Sequence, residues 1–357
     1  MLQKTLAELA QEKFDRKTKP QGSLGDLEKI AVRLAVLQNT LSPSVSRKRI
    51  LVFAGSHGVA KRGVSAYPEE VTAQMVLNFL RGGAAINVLA RHGGIDLRII
   101  NAGVNGDLSN VQASNFRNEP VRKGTRDFTT EPAMTKEELD AALALGKSEV
   151  ERAKQEGFEL LGIGEMGIGN TTSAAALCAA LLALPPQKVC GRGTGVDDEG
   201  LRRKVSAVCT ALERHGATCK TALEWLAAVG GYEIAAMTGA IFAASQYRLP
   251  MVIDGFIATA AALVAVKANP DVSHICFFGH LSAEGAHQEV LQHLKAEPIL
   301  SLNMRLGEGT GAALAMHILD AAAKLLCEMA TFESAGVSEK ICEQMKKTEN
   351  TFAQKTM

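Results

Sequence analysis

The run Leu302-Asn303-Met304-Arg305-Leu306-Gly307-Glu308-Gly309-Thr310-Gly311-Ala312-Ala313 sets one carboxylate between two glycines, directly ahead of an alanine-rich stretch. A glutamate there gains nothing from packing. The flanking glycines let the chain turn sharply and leave the side chain open to a ligand. Residues 312–326 are apolar nearly all round, which predicts a buried helix. A carboxylate at the mouth of such a helix is a candidate general base. It also suits charging or capping the helix N-terminus, where acids are favoured. This segment alone leaves both readings open.

Two glycine-rich runs offer sites for an anion. Gly162-Ile163-Gly164-Glu165-Met166-Gly167-Ile168-Gly169-Asn170-Thr171-Thr172 follows a predicted strand and opens a predicted helix. It contains a formal GxGxxG, but the dinucleotide reading needs an acid at the end of the next strand. That strand is expected to end at Val189-Cys190-Gly191, which has none. What survives is a set of bare amides at a helix N-terminus, a phosphate site, or else simply a tight strand-to-helix turn. Glu165 inside the run would repel a phosphate unless it pointed at another part of the ligand. The second run is Gly191-Arg192-Gly193-Thr194-Gly195-Val196-Asp197-Asp198, with Lys204 further along the following helix. A lone helical lysine is ordinarily a solvated charge. Two such loops with one lysine nearby suit a nucleotide monophosphate. The P-loop pattern is absent.

His57 in Gly55-Ser56-His57-Gly58-Val59 and His280 in Gly279-His280-Leu281-Ser282-Ala283-Glu284 both follow predicted strands. They could face one cleft and relay protons or bind metal, or each could make an ordinary hydrogen bond at a strand end. Neither has the spacing of a ligand pair, so no metal is expected. No GxSxG surrounds a serine. Asp254, at another strand tip, suits either a ribose hydroxyl or a loop amide.

These residues need a scaffold that gathers loops. Short β-branched or apolar runs end in glycine at 49–54, 97–102, 158–163, 251–254 and 274–278, with a further short one at 188–190. Helical patterns separate most of them: 69–92, 136–155, 171–184, 198–213, 232–246 and 256–268. Strand, glycine loop and helix in repetition predict an α/β fold with a doubly wound, parallel, Rossmann-like sheet. Ligands bind such sheets at the carboxyl ends of the strands. Helical patterns at 2–16, 27–37, 311–329 and 339–347 have no strands among them. They predict a small helical subdomain from residues 1–45 and 330–357, beside a catalytic α/β domain of residues 46–329.

Composition narrows the class further. Of 357 residues, 46% are hydrophobic, enough for a large core, and the net charge of +1 argues against nucleic-acid or membrane-surface binding. No basic cluster with interleaved aromatics occurs. The longest purely apolar stretch, around 257–266, is too short to span a bilayer. The charged N-terminus has no apolar signal core. Seven dispersed cysteines without a CxxC pair read as reduced thiols of a cytoplasmic protein.

With these residues assembled, the chain resembles the nicotinate-nucleotide–dimethylbenzimidazole phosphoribosyltransferase family of cobamide biosynthesis. The matching segments are Lys19-Pro20-Gln21-Gly22-Ser23-Leu24-Gly25, His57-Gly58-Val59, residues 164–172, Gly230-Gly231-Tyr232-Glu233, Met237-Thr238-Gly239, Asp254-Gly255-Phe256, Ser282-Ala283-Glu284 and residues 305–314. The resemblance implies a Rossmann-like sheet with a small helical domain and a dimer with sites near its interface. It implies transfer of 5-phosphoribose from nicotinate mononucleotide to an aromatic base, giving an α-linked product and needing no cofactor. By position, Glu308 would be the catalytic base. Tyr67, Met75, Met166 and Leu306 would line the acceptor pocket. Glu165, Gly167, Ile168, Gly169, Asn170, Thr171, Gly193, Thr194, Gly195, Lys204, Asp254 and Ser282 would hold the nucleotide.

The chain departs from the family pattern at four places. Ser56 and Asn101 stand where Asp is usual, and Tyr67 and Met75 where Ser and Gln are frequent. These changes resemble a branch of paired paralogues that glycosylate phenol or cresol as heterodimers. A rival expectation is a non-catalytic paralogue that binds nucleotide and completes a partner's site.

Overall fold

The computed structural model describes residues 4–193 and 195–338, and the predicted helix at 339–347 lies outside them. The chain divides into two compact units, Met1–Pro43 with Ala321–Met357, and Ser44–Asp320.

The larger unit is built on a six-stranded sheet. Its strands are β1 (Lys48–Gly55), β2 (Asp96–Gly103), β3 (Phe116–Asn118), β4 (Leu160–Met166), β5 (Met251–Ile253) and β6 (Cys276–Phe278). All pairings are parallel and the spatial order is β3-β2-β1-β4-β5-β6. This is the doubly wound order, whose crossover reverses between β1 and β4 and leaves a crevice at the carboxyl ends of the strands. Residues of β1 are buried throughout, as a strand covered on both faces must be. The helices Asn170–Leu182, Tyr232–Gln246 and Phe256–Ala268 are apolar on almost every side and almost wholly buried. The helix Lys136–Gln155 starts where Thr135 and Glu138 form a reciprocal capping box.

The smaller unit packs Ala10, Phe14, Ala31, Ala35, Ala322 and Leu326 into its own core. The Lys19-to-Gly25 connector joins its helices Leu6–Asp15 and Asp26–Leu37. Lys19 pairs with Glu28 at 2.8 Å, both side chains nearly buried.

The structure changes several expectations. Strand β4 continues to Met166, because its neighbour β1 still pairs there (Ala54 with Met166). Glu165 and Met166 are therefore strand residues. Residues 188–190 form no strand. Pro186–Val189 is instead a helical turn, for which proline at its first position is pre-set. The pattern at 69–92 is two helices, Val71–Arg81 and Ala85–Gly93, separated at Gly82, which is left-handed (φ +80°). The helix Thr310–Glu328 is long and apolar enough to cross a bilayer by length and composition, though it is not purely apolar, since it carries His317, Asp320 and Lys324. Its apolar side chains, Ala312 to Leu326, are largely buried, which identifies it as a core helix.

Candidate active site

A cleft of about 540 Å³ opens at the carboxyl ends of β4, β5 and β6. It gathers Tyr67, Met75, Glu165, Met166, Gly167, Ile168, Asn170, Thr171, Gly193, Ser282, Leu306 and Glu308, residues from five separate stretches of sequence. Gly169, Gly195, Lys204 and Asp254 do not line it. Thr194 lies outside the described residues.

Glu308 sits in an unusual backbone. Gly307, Glu308 and Gly309 all have positive φ (+88°, +64° and +87°). For the glycines this is free, whereas a left-handed glutamate costs on the order of 1 kcal/mol. The loop is pressed onto β4. A Cβ built on Gly164 would lie 2.2 Å from the amide nitrogen of Gly309, and one on Gly307 would lie 2.3 Å from Glu165 Oε1. Only glycine at 164 lets the loop seat so closely.

The capping role falls to a different acid. Asp254 Oδ2 accepts the Gly309 N–H at 3.1 Å and Oδ1 accepts the Ala312 N–H at 2.9 Å. Of the two roles open to Asp254, the loop-amide role is the one seen. Glu308 is left without a share in its own helix terminus. Its side chain accepts one long bond, from the Ile86 N–H to Oε2 at 3.5 Å. Burial raises its pKa, the Ile86 amide opposes this, and the nearby Asp254 adds to the rise.

Glu165 is pushed up to about 8, first by burial, then by Asp254 and Glu233, with Glu308 contributing; a bond from Asn170 Nδ2 works the other way. Near neutral pH it is protonated. The charge that would have repelled a phosphate is therefore absent. Of the carboxyl groups that line the cleft, Glu165 and Glu308 are both shifted upward.

The two glycine loops meet. Gly167 to Thr171 leads into the helix Asn170–Leu182, and Ile168 N–H donates to Thr72 Oγ1 at 3.0 Å. Lys204 is buried, not solvated. Its Nζ donates to Thr171 Oγ1 (3.0 Å) and to the Gly191 carbonyl (2.8 Å), tying one loop to the other from behind the cleft. Burial lowers its pKa, while Glu284 and then Cys190 act in the opposite direction. Ser282 is held by His287, whose Nδ1 accepts the Ser282 N–H at 2.9 Å, so Nε2 carries the proton toward Thr259. Burial and the neighbouring His280 depress His287 to about 3, which keeps it neutral.

Large, mostly apolar side chains among the lining residues include Tyr67, Val71, Met75, Met166 and Leu306. Tyr67 and Leu306 are 55% and 57% exposed, so the cleft mouth carries two large apolar side chains facing solvent.

His57 does not reach the cleft. It is buried between Glu233 (Nε2 to Oε1, 2.5 Å) and Ser173 (Nδ1 to Oγ, 2.9 Å). His280 lines the cleft wall. Among the described residues no cluster of three or more His, Cys, Asp or Glu could hold a metal. Ser56 and Asn101 also lie off the cleft. Ser56 Oγ accepts the Asn105 N–H, and Asn101 Oδ1 accepts the Val104 N–H, as a carboxylate there would. Arg305 and Glu284 line the cleft although the sequence suggests a role for neither; both lie inside notable segments, beside Glu308 and Ser282.

A phosphoribosyltransferase family model, DBI_PRT, matches residues 1–337. A nicotinate-nucleotide–dimethylbenzimidazole phosphoribosyltransferase of Ralstonia nicotianae is 51% identical over 325 residues, covering 91% of this chain and 92% of the relative. The enzyme of that name from Chlorobaculum tepidum is 50% identical over 327 residues, 92% of each chain. A crystal structure of CobT from Thermus thermophilus superposes with a TM-score of 0.90 at 49% identity, covering 94% of this chain and 99% of that one.

Proposed function

The chain belongs to the nicotinate-nucleotide–dimethylbenzimidazole phosphoribosyltransferase family, and on that premise we propose how its cleft works. The enzyme moves 5-phosphoribose from nicotinate mononucleotide to an aromatic lower-ligand base of cobamides, releasing nicotinate and giving an α-linked riboside 5′-phosphate. The pyridinium leaving group already carries positive charge, so its departure needs no acid. The acceptor attacks the cationic ribose from the opposite face and must lose a proton. Glu308 takes that proton.

The observation that carries this assignment is the left-handed Glu308, lining the cleft while Asp254 caps the helix. Its raised pKa brings it nearer the value an effective base needs. The nucleotide phosphate rests on the turn from Gly167 to Thr171 and on the Gly193 amide, beside Ser282, with Gly169 and Gly195 shaping the two loops. Lys204 acts through Thr171 and the Gly191 carbonyl and supplies positive charge from behind. Neutral Glu165 donates toward the ribose. Asp254 acts through the Glu308 loop.

The acceptor packs among Tyr67, Met75, Met166 and Leu306. A specific observation favours a wider acceptor range: these four lining side chains are apolar apart from the Tyr67 hydroxyl. Phenolic acceptors are therefore included in the proposal, used by this chain or by its complex with a paralogue. A dimer, of either kind, and a cytoplasmic setting belong to the same reading; the free cysteines support the latter. The non-catalytic alternative is not favoured, since Glu308 is in place and the relatives are named for the enzyme.

Incubating the protein with nicotinate mononucleotide and a panel of benzimidazole, purine and phenol acceptors, read by mass spectrometry, tests the proposal. Nicotinate release with formation of a riboside phosphate is expected. Failure with every acceptor, with and without a paralogous partner, would overturn it.

A further inference from the structure

Glu284 stands where the nucleotide's phosphate is expected. Both of its carboxylate oxygens lie within hydrogen-bond distance of one donor, the Gly193 N–H, at 3.0 and 3.1 Å. Gly193 lines the cleft, and so does Glu284. The loop is wrapped tightly about this carboxylate: a Cβ on Gly191 would lie 2.1 Å from its Oε1. The opposite side of Gly193 is fixed by Arg305, whose Nη1 donates to the Gly193 carbonyl at 3.0 Å. The Lys204 ammonium feels the Glu284 charge as a favourable one. The carboxylate thus occupies the amide donor on which the phosphate would rely, and it acts favourably on the Lys204 ammonium nearby. Two anions cannot share one amide at hydrogen-bond distance.

We propose that Glu284 is a displaceable plug, an internal anion that holds the Gly193 loop and must leave that amide when the phosphate enters. The segment that carries it allows this. The Glu284 N–H reaches Ser282 Oγ at a long 3.3 Å, and its carbonyl accepts the His287 N–H at 3.0 Å, so the backbone turn holds while the side chain can swing; Gly285 follows, around which a Cβ would meet nothing within 4 Å. The consequence is a cost borne by the phosphate alone. A dianionic phosphate must compete with Glu284 for the amide, whereas a nucleoside leaves Glu284 in place. The enzyme therefore gives up some affinity for its nucleotide and gains an ordered loop.

This inference rests on the proposed phosphate position, and the test separates the two. Inorganic phosphate and nicotinate mononucleotide are titrated calorimetrically into the wild type, Glu284→Gln, Glu284→Ala and Lys204→Met, with thermal unfolding as the check on folding. Removing the competing charge should tighten phosphate on the order of tenfold in both Glu284 variants, while Lys204→Met weakens it and dimethylbenzimidazole binding is unchanged throughout. If Lys204→Met weakens phosphate but the Glu284 variants bind it equally well or more weakly, Glu284 only braces the loop and the plug is refuted. If Lys204→Met has no effect on phosphate, the phosphate position itself is wrong, and the plug falls with it. Two Glu284 variants are used because Gln keeps an acceptor for the Gly193 N–H and Ala removes it, so a folding defect in one leaves the other to decide.

Discussion

Gly164→Ala tests whether catalysis depends on how closely the Glu308 loop lies on β4. The added Cβ would sit 2.2 Å from the Gly309 nitrogen, 2.5 Å from its Cα and 2.6 Å from the Glu308 carbonyl carbon. All three are backbone atoms, and ordinary contact begins near 3.4 Å, so the loop must retreat by about 1 Å. It cannot rotate away cheaply, because three successive residues are already held at positive φ and Asp254 grips the loop at Gly309. Overpacking of this kind costs roughly 1–3 kcal/mol, which a unit of this size can absorb without unfolding. A base displaced by about 1 Å loses on the order of 10² in turnover. The assay is steady-state kinetics with nicotinate mononucleotide and dimethylbenzimidazole, beside calorimetric titration of the nucleotide. Turnover should fall while nucleotide affinity stays close to wild type, since the amides of Gly167 to Thr171 follow the strand and are not part of the displaced loop. Wild-type turnover in a folded Gly164→Ala protein would refute the reasoning.

Two further outcomes follow from the cleft. The Glu308 base must be ionised, and its pKa is raised, so kcat/KM should fall as pH drops and begin to do so above the ordinary glutamate range; Glu165, protonated below about 8, adds a negative charge above it, so kcat/KM should fall again there, and Glu165→Gln should remove the alkaline limb alone. An alkaline limb identical in the two proteins would show that Glu165 does not titrate there. Met75→Gln adds a hydrogen-bonding group among the apolar lining side chains of the cleft and should shift the kcat/KM ratio from phenol toward dimethylbenzimidazole by about tenfold; competition between the two acceptors reads this directly, and an unchanged ratio would remove Met75 from the acceptor site.

Much of the scaffold is legible because periodicity and punctuation agree. The helices 136–155, 232–246 and 256–268 match the sequence pattern at both ends, each preceded by a capping threonine or a glycine. Strand β3 is three residues long with no alternation, and only its pairing with β2 makes it a strand. The end of β4 is hard to read because Gly164 resembles a loop residue; it is a glycine for the sake of the loop packed on it. The same distinction governs the site. Glu308 is marked by its neighbours in sequence. Its freedom from capping is decided by Asp254, more than fifty positions earlier, and nothing local reveals that. Lys204 looks like a solvated helical lysine until the fold buries it against Thr171 and Gly191. Glu284 belongs to a recognisable motif, yet its role is hidden in the sequence because its partner Gly193 lies on another loop.

The most direct test of Glu308 as the base is the single-turnover rate of Glu308→Gln with saturating nicotinate mononucleotide and dimethylbenzimidazole, measured beside the nucleotide's affinity. Glutamine preserves the shape and the contact with Ile86 but cannot take the acceptor's proton. The expected result is a rate lowered on the order of 10² to 10⁴ with nucleotide binding nearly intact. An unchanged rate in the folded variant would contradict the assignment of Glu308 as the catalytic base.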